Sequence, residues 1–373
     1  MVVGWVAYDI TRSPFLTSVA IGLDALPFLL AGPLGGLVAD AFDKRRLLIF
    51  AYLYQSVLTL AFASFVLLGT VAIWHMFAFI LLTGLSWVIT DPTRSSMLPS
   101  IVPREGLVNA FALNSMAFSV SRLATPALGG LLLALTDAGP PLLLVGGLQL
   151  MAVAAVLPIR FKSDTRTVLR VTTAFSQLLE GVRYVAAHPV LRSLFLVAII
   201  PPLMVMPFVQ GLMPVYAAEV FDVGPTGLGL LLSAIGIGST AGAVLLATWA
   251  KFRRHGRAVL ISIAVMAVAM IAFSRSPLYG AAFPIIVVLS AGMMMFFSVT
   301  SASIQRVVRN DYRGRVSGLY MVTWGLFPLG SLTAGALAEA FGAPMATLLS
   351  AGVVLMALAA IGLWVRRMWS LDA

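Results

Sequence analysis

Two ionisable residues, Asp24 and Arg122, fall inside apolar stretches long enough to cross a bilayer. A charge in that position is costly and usually faces an ion or substrate path. A carboxyl group in a low-dielectric site can bind and release a proton as its access to water alternates. Asp24 is therefore the first candidate for a proton-carrying residue, with Arg122 as its counter-charge or as an anchor for an anion. The alternative is a static ion pair that holds two helices in register.

Other kinds of chemistry find no support in the sequence. It contains no cysteine and three scattered histidines, which excludes thiolate metal sites and disulfides and leaves no metal-ligand spacing. There is no Gly-rich run ending in Gly-Lys-Ser or Gly-Lys-Thr, as a nucleotide site would need, and no convergent Ser/His/Asp or paired-carboxylate set. We therefore expect no metal, no cofactor and no enzymatic activity.

The string GLVADAFDKRR, from Gly36 to Arg46, joins two apolar runs. A glycine lets the end of a helix approach a neighbour closely, and Asp40 could accept hydrogen bonds from the positive N-terminus of another helix. The basic residues Lys44, Arg45 and Arg46 are typical of a cytoplasmic loop. A loop that only sets topology would explain the basic cluster but not the spacing of Gly36 and Asp40.

A second string, SRLATPALGG from Ser121 to Gly130, lies in a long apolar run. Its small residues Gly129 and Gly130 permit tight helix contact, while Pro126 frees a backbone carbonyl and allows a bend. Proline and glycine are also common in membrane helices for packing alone, so the string by itself leaves both interpretations open.

Both strings resemble motifs of the major facilitator superfamily of transporters. The first is similar to motif A, and the resemblance implies that Gly36, Asp40 and the basic cluster latch the two halves of the transporter in an outward-facing state. The second is similar to motif C of antiporters, although Thr125 stands where the family has glycine. Its residues here are Arg122, Pro126, Gly129 and Gly130. The arginine of motif B, found in many proton-linked relatives, has no match between Ile73 and Thr90.

Three further segments resemble the enterobactin-exporter and macrolide-efflux branch of this superfamily. They are WVAYDITRSP from Trp5, DPTRSSMLP from Asp91, placed after helix 4, and YRGRV from Tyr312, placed before helix 11. The resemblance implies an all-α membrane protein with two six-helix bundles related by pseudo-two-fold symmetry.

The composition of the chain also predicts that these residues lie in a membrane protein. The chain has 373 residues, of which 60% are hydrophobic and 10% charged, so it cannot build a water-soluble surface. Its apolar runs match the roughly 17–25 residues that a membrane helix needs. They predict helices at 17–39, 47–69, 72–91, 108–135, 141–160, 191–217, 226–250, 258–274, 278–304, 315–339 and 343–367.

The distribution of charge predicts the orientation of these helices. Nearly all of the 24 Lys and Arg residues fall in the loops of one side, so that side and the C-terminus are predicted to be cytoplasmic in a plasma (inner) membrane. The same pattern explains the net charge of +10 without a nucleic-acid partner.

An apolar fragment, Met1 to Ile10, precedes the first full span and covers only about 15 Å at 1.5 Å per residue. In this orientation its charged amine would start near mid-bilayer, which is costly. We therefore expect helix 1 to be truncated. The competing interpretation is a signal peptide, which lacks support because Asp9 and Arg12 stand where a small-residue cleavage site would be expected.

The longest polar stretch divides the chain into a bundle over 1–160, a central cytoplasmic loop over 161–190 and a second bundle over 191–373. Weak repeats at an offset of 206 residues, such as Gly36 with Gly242, suggest two parallel copies of one unit. In the superfamily, helices 1, 4, 7 and 10 line a central cavity. Methionine and aromatic residues suit varied apolar ligands, although the same residues on a lipid-facing wall would look identical. The cavity candidates are Trp87, Met206, Gln210, Met294, Phe297, Tyr320 and Trp324.

Together with these features, the resemblance to that branch implies a monomeric, proton-coupled secondary exporter of small amphipathic molecules, such as drugs or siderophore-like metabolites. One alternative is uptake or flipping of a specific metabolite or lysolipid. Another, from a different class, is a non-transporting sensor or scaffold on the same fold, since fold does not fix function.

Overall fold

The computed structural model of the chain describes residues 1–27, 29–31, 38, 42–159, 171–248 and 255–364. Every regular element in these ranges is helical. The N-terminal half contains α1 (Val2–Thr11), α2 (Pro14–Leu23), α3 (Lys44–Leu67), α4 (Ile73–Ile101), α5 (Leu107–Leu135) and α6 (Gly139–Val156). A connecting helix, α7 (Val171–Ala187), follows. The C-terminal half contains α8 (Pro189–Val220), α9 (Gly224–Thr248), α10 (His255–Arg275), α11 (Tyr279–Val307), α12 (Arg313–Trp324), α13 (Phe327–Phe341) and α14 (Ala343–Trp364).

Within the described ranges, 10 helical segments are long and apolar enough to cross a membrane. They correspond to the ten spans predicted from 47–69 onward, with α12 and α13 forming one span, Asn310–Phe341. The span predicted at 17–39 falls partly outside the described residues. Its described part begins with α2, whose first turn is fixed by Pro14 and by the Ser13 hydroxyl, which accepts a hydrogen bond from the Leu16 amide at 3.2 Å.

The predicted end of helix 4 was wrong. We expected the helix to stop at residue 91 and the segment beginning at Asp91 to follow it, but α4 continues to Ile101 with Pro92 and Pro99 inside. The charges that suggested a loop are compatible with a helix because Arg94 and Asp91 pair across one turn at 3.1 Å. The span predicted at 315–339 also differs from the structure, since a turn at Gly325 and Leu326 divides it into α12 and α13.

The two halves have unequal cores. The largest buried cluster belongs mainly to the C-terminal half, around Phe208, Tyr216 and Phe273, whereas the N-terminal half has a smaller one around Phe62 and Met76. The connecting helix α7 packs on α12 and α8 of the C-terminal half. Its Tyr184 ring stacks on Tyr312 with centroids 4.2 Å apart.

The halves meet through two helix pairs, α5 with α9 and α2 with α13. We call the end of the molecule that carries Lys44–Arg46, Arg183 and Arg313 the basic end. The other end, with the α1–α2 turn and the α13–α14 turn at Gly342, is called the far end. Any passage for a substrate must run between these two helix pairs.

Candidate functional site: a passage closed at the far end

Small residues bring α5 and α9 into backbone contact near the far end. A Cβ atom on Gly130 would lie 2.6 Å from the Pro225 carbonyl oxygen, and one on Gly236 would lie 2.8 Å from the Arg122 carbonyl oxygen. Side chains larger than hydrogen at these two positions would therefore hold the helices apart. The string that resembles motif C thus forms a contact between the two halves through Gly130, whereas Gly129 faces the side chain of Met1.

The second helix pair, α2 with α13, is equally close. The Ser18 hydroxyl donates to the Ser331 carbonyl at 2.9 Å. A Cβ atom on Gly22 would lie 2.6 Å from the Ser331 Cβ, and one on Gly335 would lie 2.9 Å from the Phe15 Cα. Both helix pairs therefore meet without a gap that would admit a substrate.

Two glutamates accept hydrogen bonds that join the two halves at the far end. The Tyr8 hydroxyl on α1 donates to Glu219 Oε1 at the end of α8, at 2.6 Å. Glu339 Oε2 on α13 accepts from the Ser13 hydroxyl at 2.9 Å and from the Phe15 amide at 3.1 Å. Hydrogen bonds to a charged group are stronger than those between neutral groups, so these contacts stabilise the closed far end.

Sequence reasoning missed Glu219 and Glu339, although a signal was present. Each lies in the last turns of a helical segment, where the helix dipole favours a cation over a carboxylate. Acidic residues in that unfavourable position indicate that a partner outside the helix compensates for them.

At the basic end the described parts of the two halves are separated. Every residue of α5 from Phe111 to Leu123 is exposed, which covers more than three turns and therefore all faces of the helix. A helix that only faced lipid on one side would bury the other side. On α12, Met321 is 69% exposed and Trp324 37% exposed. Together these residues describe a passage that is open toward the basic end.

The structure does not bring the two predicted intramembrane charges together. Asp24 is exposed at the end of α2, with its backbone carbonyl against Gly84 of α4, and its carboxylate interacts electrostatically with the Met1 amine. Arg122 lies on the exposed stretch of α5, with its guanidinium 5.7 Å from the centroid of the Phe118 ring. No ion pair between described residues joins Asp24 to Arg122, so the static pair considered from sequence is absent from this conformation.

The predicted cavity residues lie on several helices of both halves. Phe297 of α11 stacks on Trp324 of α12 with ring centroids 4.4 Å apart. Tyr320 lies one turn before Trp324, and its buried hydroxyl has no hydrogen-bond partner. Met206 and Gln210 are half-buried on α8, and Met294 is half-buried on α11. Trp87 is 49% exposed on α4 of the N-terminal half and joins none of the ring contacts described for the others.

The latch predicted from the motif A-like string remains a prediction, since Gly36 and Asp40 lie outside the described residues. Its basic part is described. Asp43 caps α3 by accepting from the Arg46 amide at 2.8 Å, with Lys44 as the first helical residue. Arg45 donates to the Leu157 carbonyl at the end of α6. Among the described residues, no group of His, Asp or Glu side chains could hold a metal ion.

Comparisons with known proteins agree on the class of this chain. The family described as transmembrane secretion effector matches residues 1–372. The chain is 26% identical to the multidrug efflux pump Tap of Mycolicibacterium fortuitum, over 99% of this chain and 91% of that protein. It is 22% identical to macrolide efflux protein A of Streptococcus pyogenes, over 97% and 90% of the two chains. It is 24% identical to the staphyloferrin A transporter of Staphylococcus aureus, over 85% and 79%.

Solved structures share the fold at low sequence identity. A mutant form of the nucleoside transporter NupG superposes with a TM-score of 0.82 at 13% identity, covering 98% of this chain and 94% of that chain. A bacterial homologue of the lysosomal transporter Spinster, in an inward-facing and unoccupied conformation, gives 0.75 at 17% identity, covering 100% and 94%. The predicted all-α major facilitator fold is thereby confirmed. The chain belongs to the transmembrane secretion effector family of major facilitator transporters, and it is not an enzyme.

Proposed function

We propose that this protein is a secondary active exporter of small amphipathic molecules, drug-like or siderophore-like, driven by the proton gradient and working by alternating access. The proposal rests on one observation above all, the passage that is closed at the far end and open at the basic end. A transporter needs a passage with one open end and contacts at the other that can be broken. A static scaffold gains nothing from such an asymmetry.

The distribution of charge supports an orientation of the protein in the membrane, and the relatives support a direction of transport. The Lys and Arg residues of the basic end favour a cytoplasmic location for it and for the C-terminus in the plasma (inner) membrane. A passage open to the cytoplasm is the state in which an exporter loads its substrate. Export is supported by the relatives, of which two are named efflux pumps. We take 1–160 and 191–373 as the two moving bundles and expect them to work as a monomer.

The environment of the candidate passage fits an amphipathic substrate. The stacked rings of Phe297 and Trp324 offer an apolar surface, while the Gln210 amide and the Arg122 guanidinium supply a few polar groups. Asp24, exposed and without a described side-chain counter-ion, remains the candidate for the proton-carrying group.

The experiment that tests this proposal measures accumulation of ethidium and of a macrolide in cells that produce the chain. We expect lower accumulation than in control cells, and a rise to the control level when a protonophore collapses the gradient. Asp24→Asn should lose the dependence on the pH gradient while inserting normally. An accumulation that neither the chain nor the protonophore changes would contradict export of these compounds.

A second variant separates transport from a scaffold function. Asp40→Asn should lose turnover without loss of membrane insertion, because a latch between the halves matters only to a protein that cycles between states. Glu105→Gln, an exposed carboxylate at the basic end without a described partner, is the matched control and should keep full turnover. An Asp40→Asn variant with full turnover would contradict the latch, whereas the absence of transport by the unmodified chain itself would favour the scaffold.

A further inference from the structure

Helix α8 departs from regular α-helical geometry in three segments after its first ten residues. After a regular start at Pro189–Ala198, it forms π-helical turns at Pro201–Val205, Pro207–Gly211 and Tyr216–Val220. Its four prolines after Ala198 explain the departure, because each lacks an N–H donor and crowds the carbonyl one turn earlier. They are Pro201, Pro202, Pro207 and Pro214. π-Helical turns occur frequently at functional sites.

Hydroxyl groups of α14 bind the backbone of this irregular segment from one side. The Ser350 hydroxyl donates to the Met204 carbonyl at 2.5 Å. The Thr347 hydroxyl lies 2.9 Å from the Ala343 carbonyl of its own helix and 3.2 Å from the Phe208 carbonyl, so these two acceptors share its single proton. Tyr216 of α8 reaches back, with its hydroxyl 2.9 Å from Thr347 Oγ1. Thr347 and Tyr216 are fully buried and Ser350 is 2% exposed, so no water competes for these bonds.

The spacing of these contacts follows the spacing of the helices. Thr347 and Ser350 lie three residues apart on α14, and the two carbonyls they approach lie four residues apart on α8, so both pairs share one helix face. The hydroxyls thus hold two successive turns of α8 in place. Neither side chain can reach the passage, since both are enclosed between α14 and α8.

A different face of α8 carries two of the predicted cavity residues. Met206 and Gln210 are half-buried, whereas Val205, Phe208 and Val209 between and beside them are buried. The Gln210 side chain makes no hydrogen bond to a described residue. One residue more or less in a helical turn rotates everything beyond it by roughly 100°, so the π-helical turns decide which way these two side chains point.

We propose that Thr347 and Ser350 are positioning residues for substrate selectivity. Ser350 bonds the Met204 carbonyl, while Thr347 accepts from the Tyr216 hydroxyl and shares its proton with the Phe208 carbonyl. Together they hold α8 in its π-helical shape and thereby direct Met206 and Gln210 into the passage, without touching the substrate themselves. This inference rests on the proposed transport function for its effect on selectivity, but its geometric part can be tested alone.

The geometric part is tested by labelling. Because the chain has no native cysteine, Gln210→Cys gives a single reactive site. In purified protein in detergent, the double variant Thr347→Val with Ser350→Ala should change the rate of maleimide labelling at position 210 by about threefold or more, since the side chain would point elsewhere. Ser262→Ala is the matched control, because Ser262 is 2% exposed and bonds only the Ala258 carbonyl of its own helix at 2.8 Å. It should leave the rate unchanged.

The functional part is tested by transport in proteoliposomes with ethidium and a macrolide as probes. Ser350→Ala should change the ratio of kcat/KM for the two probes by about fivefold or more, and Ser350→Thr, which keeps the hydroxyl, should restore it. If the double variant fails to insert, the maleimide labelling at position 210 is measured with Ser350→Ala alone. Unchanged labelling and an unchanged ratio would overturn the inference. Altered labelling in a chain that transports neither probe would support the positioning and reject the proposed function.

Discussion

The two parts of α5 differ in how closely they approach the other half of the molecule. From Arg122 onward its backbone lies close to Gly236 and Gly229 of α9, but from Phe111 to Ser121 every residue is exposed and no such contact is described. The small residues of one part allow a contact that bulky side chains such as Phe111, Met116 and Phe118 would prevent. The size of the side chains along a single helix therefore separates a closed region from an open one.

The kind of contact differs between the ends as well. The far end combines close backbone packing with hydrogen bonds from Tyr8, Ser13 and Phe15 to two glutamates of the other half. The described polar contacts at the basic end, such as the pair of Glu180 with Arg315 at 3.0 Å, join α7 to its own half. Contacts that span the halves set the conformational equilibrium, whereas contacts within one half do not.

Among the substitutions that test the contacts between the halves, Gly229→Ala should reduce transport most. The added methyl group would overlap the Pro126 carbonyl oxygen and lie 3.0 Å from the Gly130 Cα, so α5 and α9 would have to separate. We expect ethidium efflux to fall about tenfold or more, since overpacking typically costs about 1–3 kcal/mol. Gly147→Ala on α6, where a Cβ meets nothing within 4 Å, is the control and should transport normally. Normal efflux in the Gly229 variant would mean that closure does not depend on this contact.

Glu339→Ala should open the far end to a smaller extent. It removes the acceptor for two hydrogen bonds between the halves, worth about 1–2 kcal/mol together at an exposed position. Spin labels on Ile10→Cys and Phe341→Cys, which are 40% and 62% exposed, report the opening as a shift toward longer distances. Removing Glu105, which has no partner among the described residues at the basic end, should leave those distances as they are.

Tyr8→Phe should open the far end less than Glu339→Ala. One hydrogen bond is lost, worth about 1 kcal/mol, and the exposed Glu219 can bind water in its place. The same pair of spin labels measures the shift. A larger opening than in the Glu339 variant would show that α1 and α8, rather than α2 and α13, control closure.

Glu180→Gln should have the smallest effect. Its partner Arg315 is 31% exposed and Glu180 51% exposed, and such pairs contribute about 0–1 kcal/mol. The stack of Tyr184 on Tyr312 would still hold α7 on α12. Transport and far-end distances should match the unmodified protein, and a change in either would assign α7 a part in coupling the halves.

Much of the fold could be predicted from sequence because a bilayer demands long apolar runs. The ten described spans follow from that demand alone. The end of α4 could not be predicted, since Asp91 and Pro92 are typical of a loop unless the pairing of Asp91 with Arg94 is known. The π-helical course of α8 was likewise beyond a hydropathy argument, which measures how apolar a segment is but not how its backbone hydrogen bonds are arranged.

The candidate site was predictable only in part. The string around Pro126 and Gly130 indicated a close helix contact from residue size, although it did not name α9 as the partner. Charge alone singled out Asp24 and Arg122 as a proton carrier with its counter-charge, or else as a static pair between two helices, and no ion pair joins them in this conformation.

Composition, residue size and charge, read along the chain, determined that this protein crosses a membrane many times and where its helices can approach one another closely. Only the tertiary structure decided which end of the passage is closed and which groups close it. Tyr8 with Glu219, and Ser13 with Glu339, are 211 and 326 residues apart in the chain. Hydropathy and local motifs describe one helix at a time. The balance between open and closed states depends instead on contacts between residues that only the folded chain brings together.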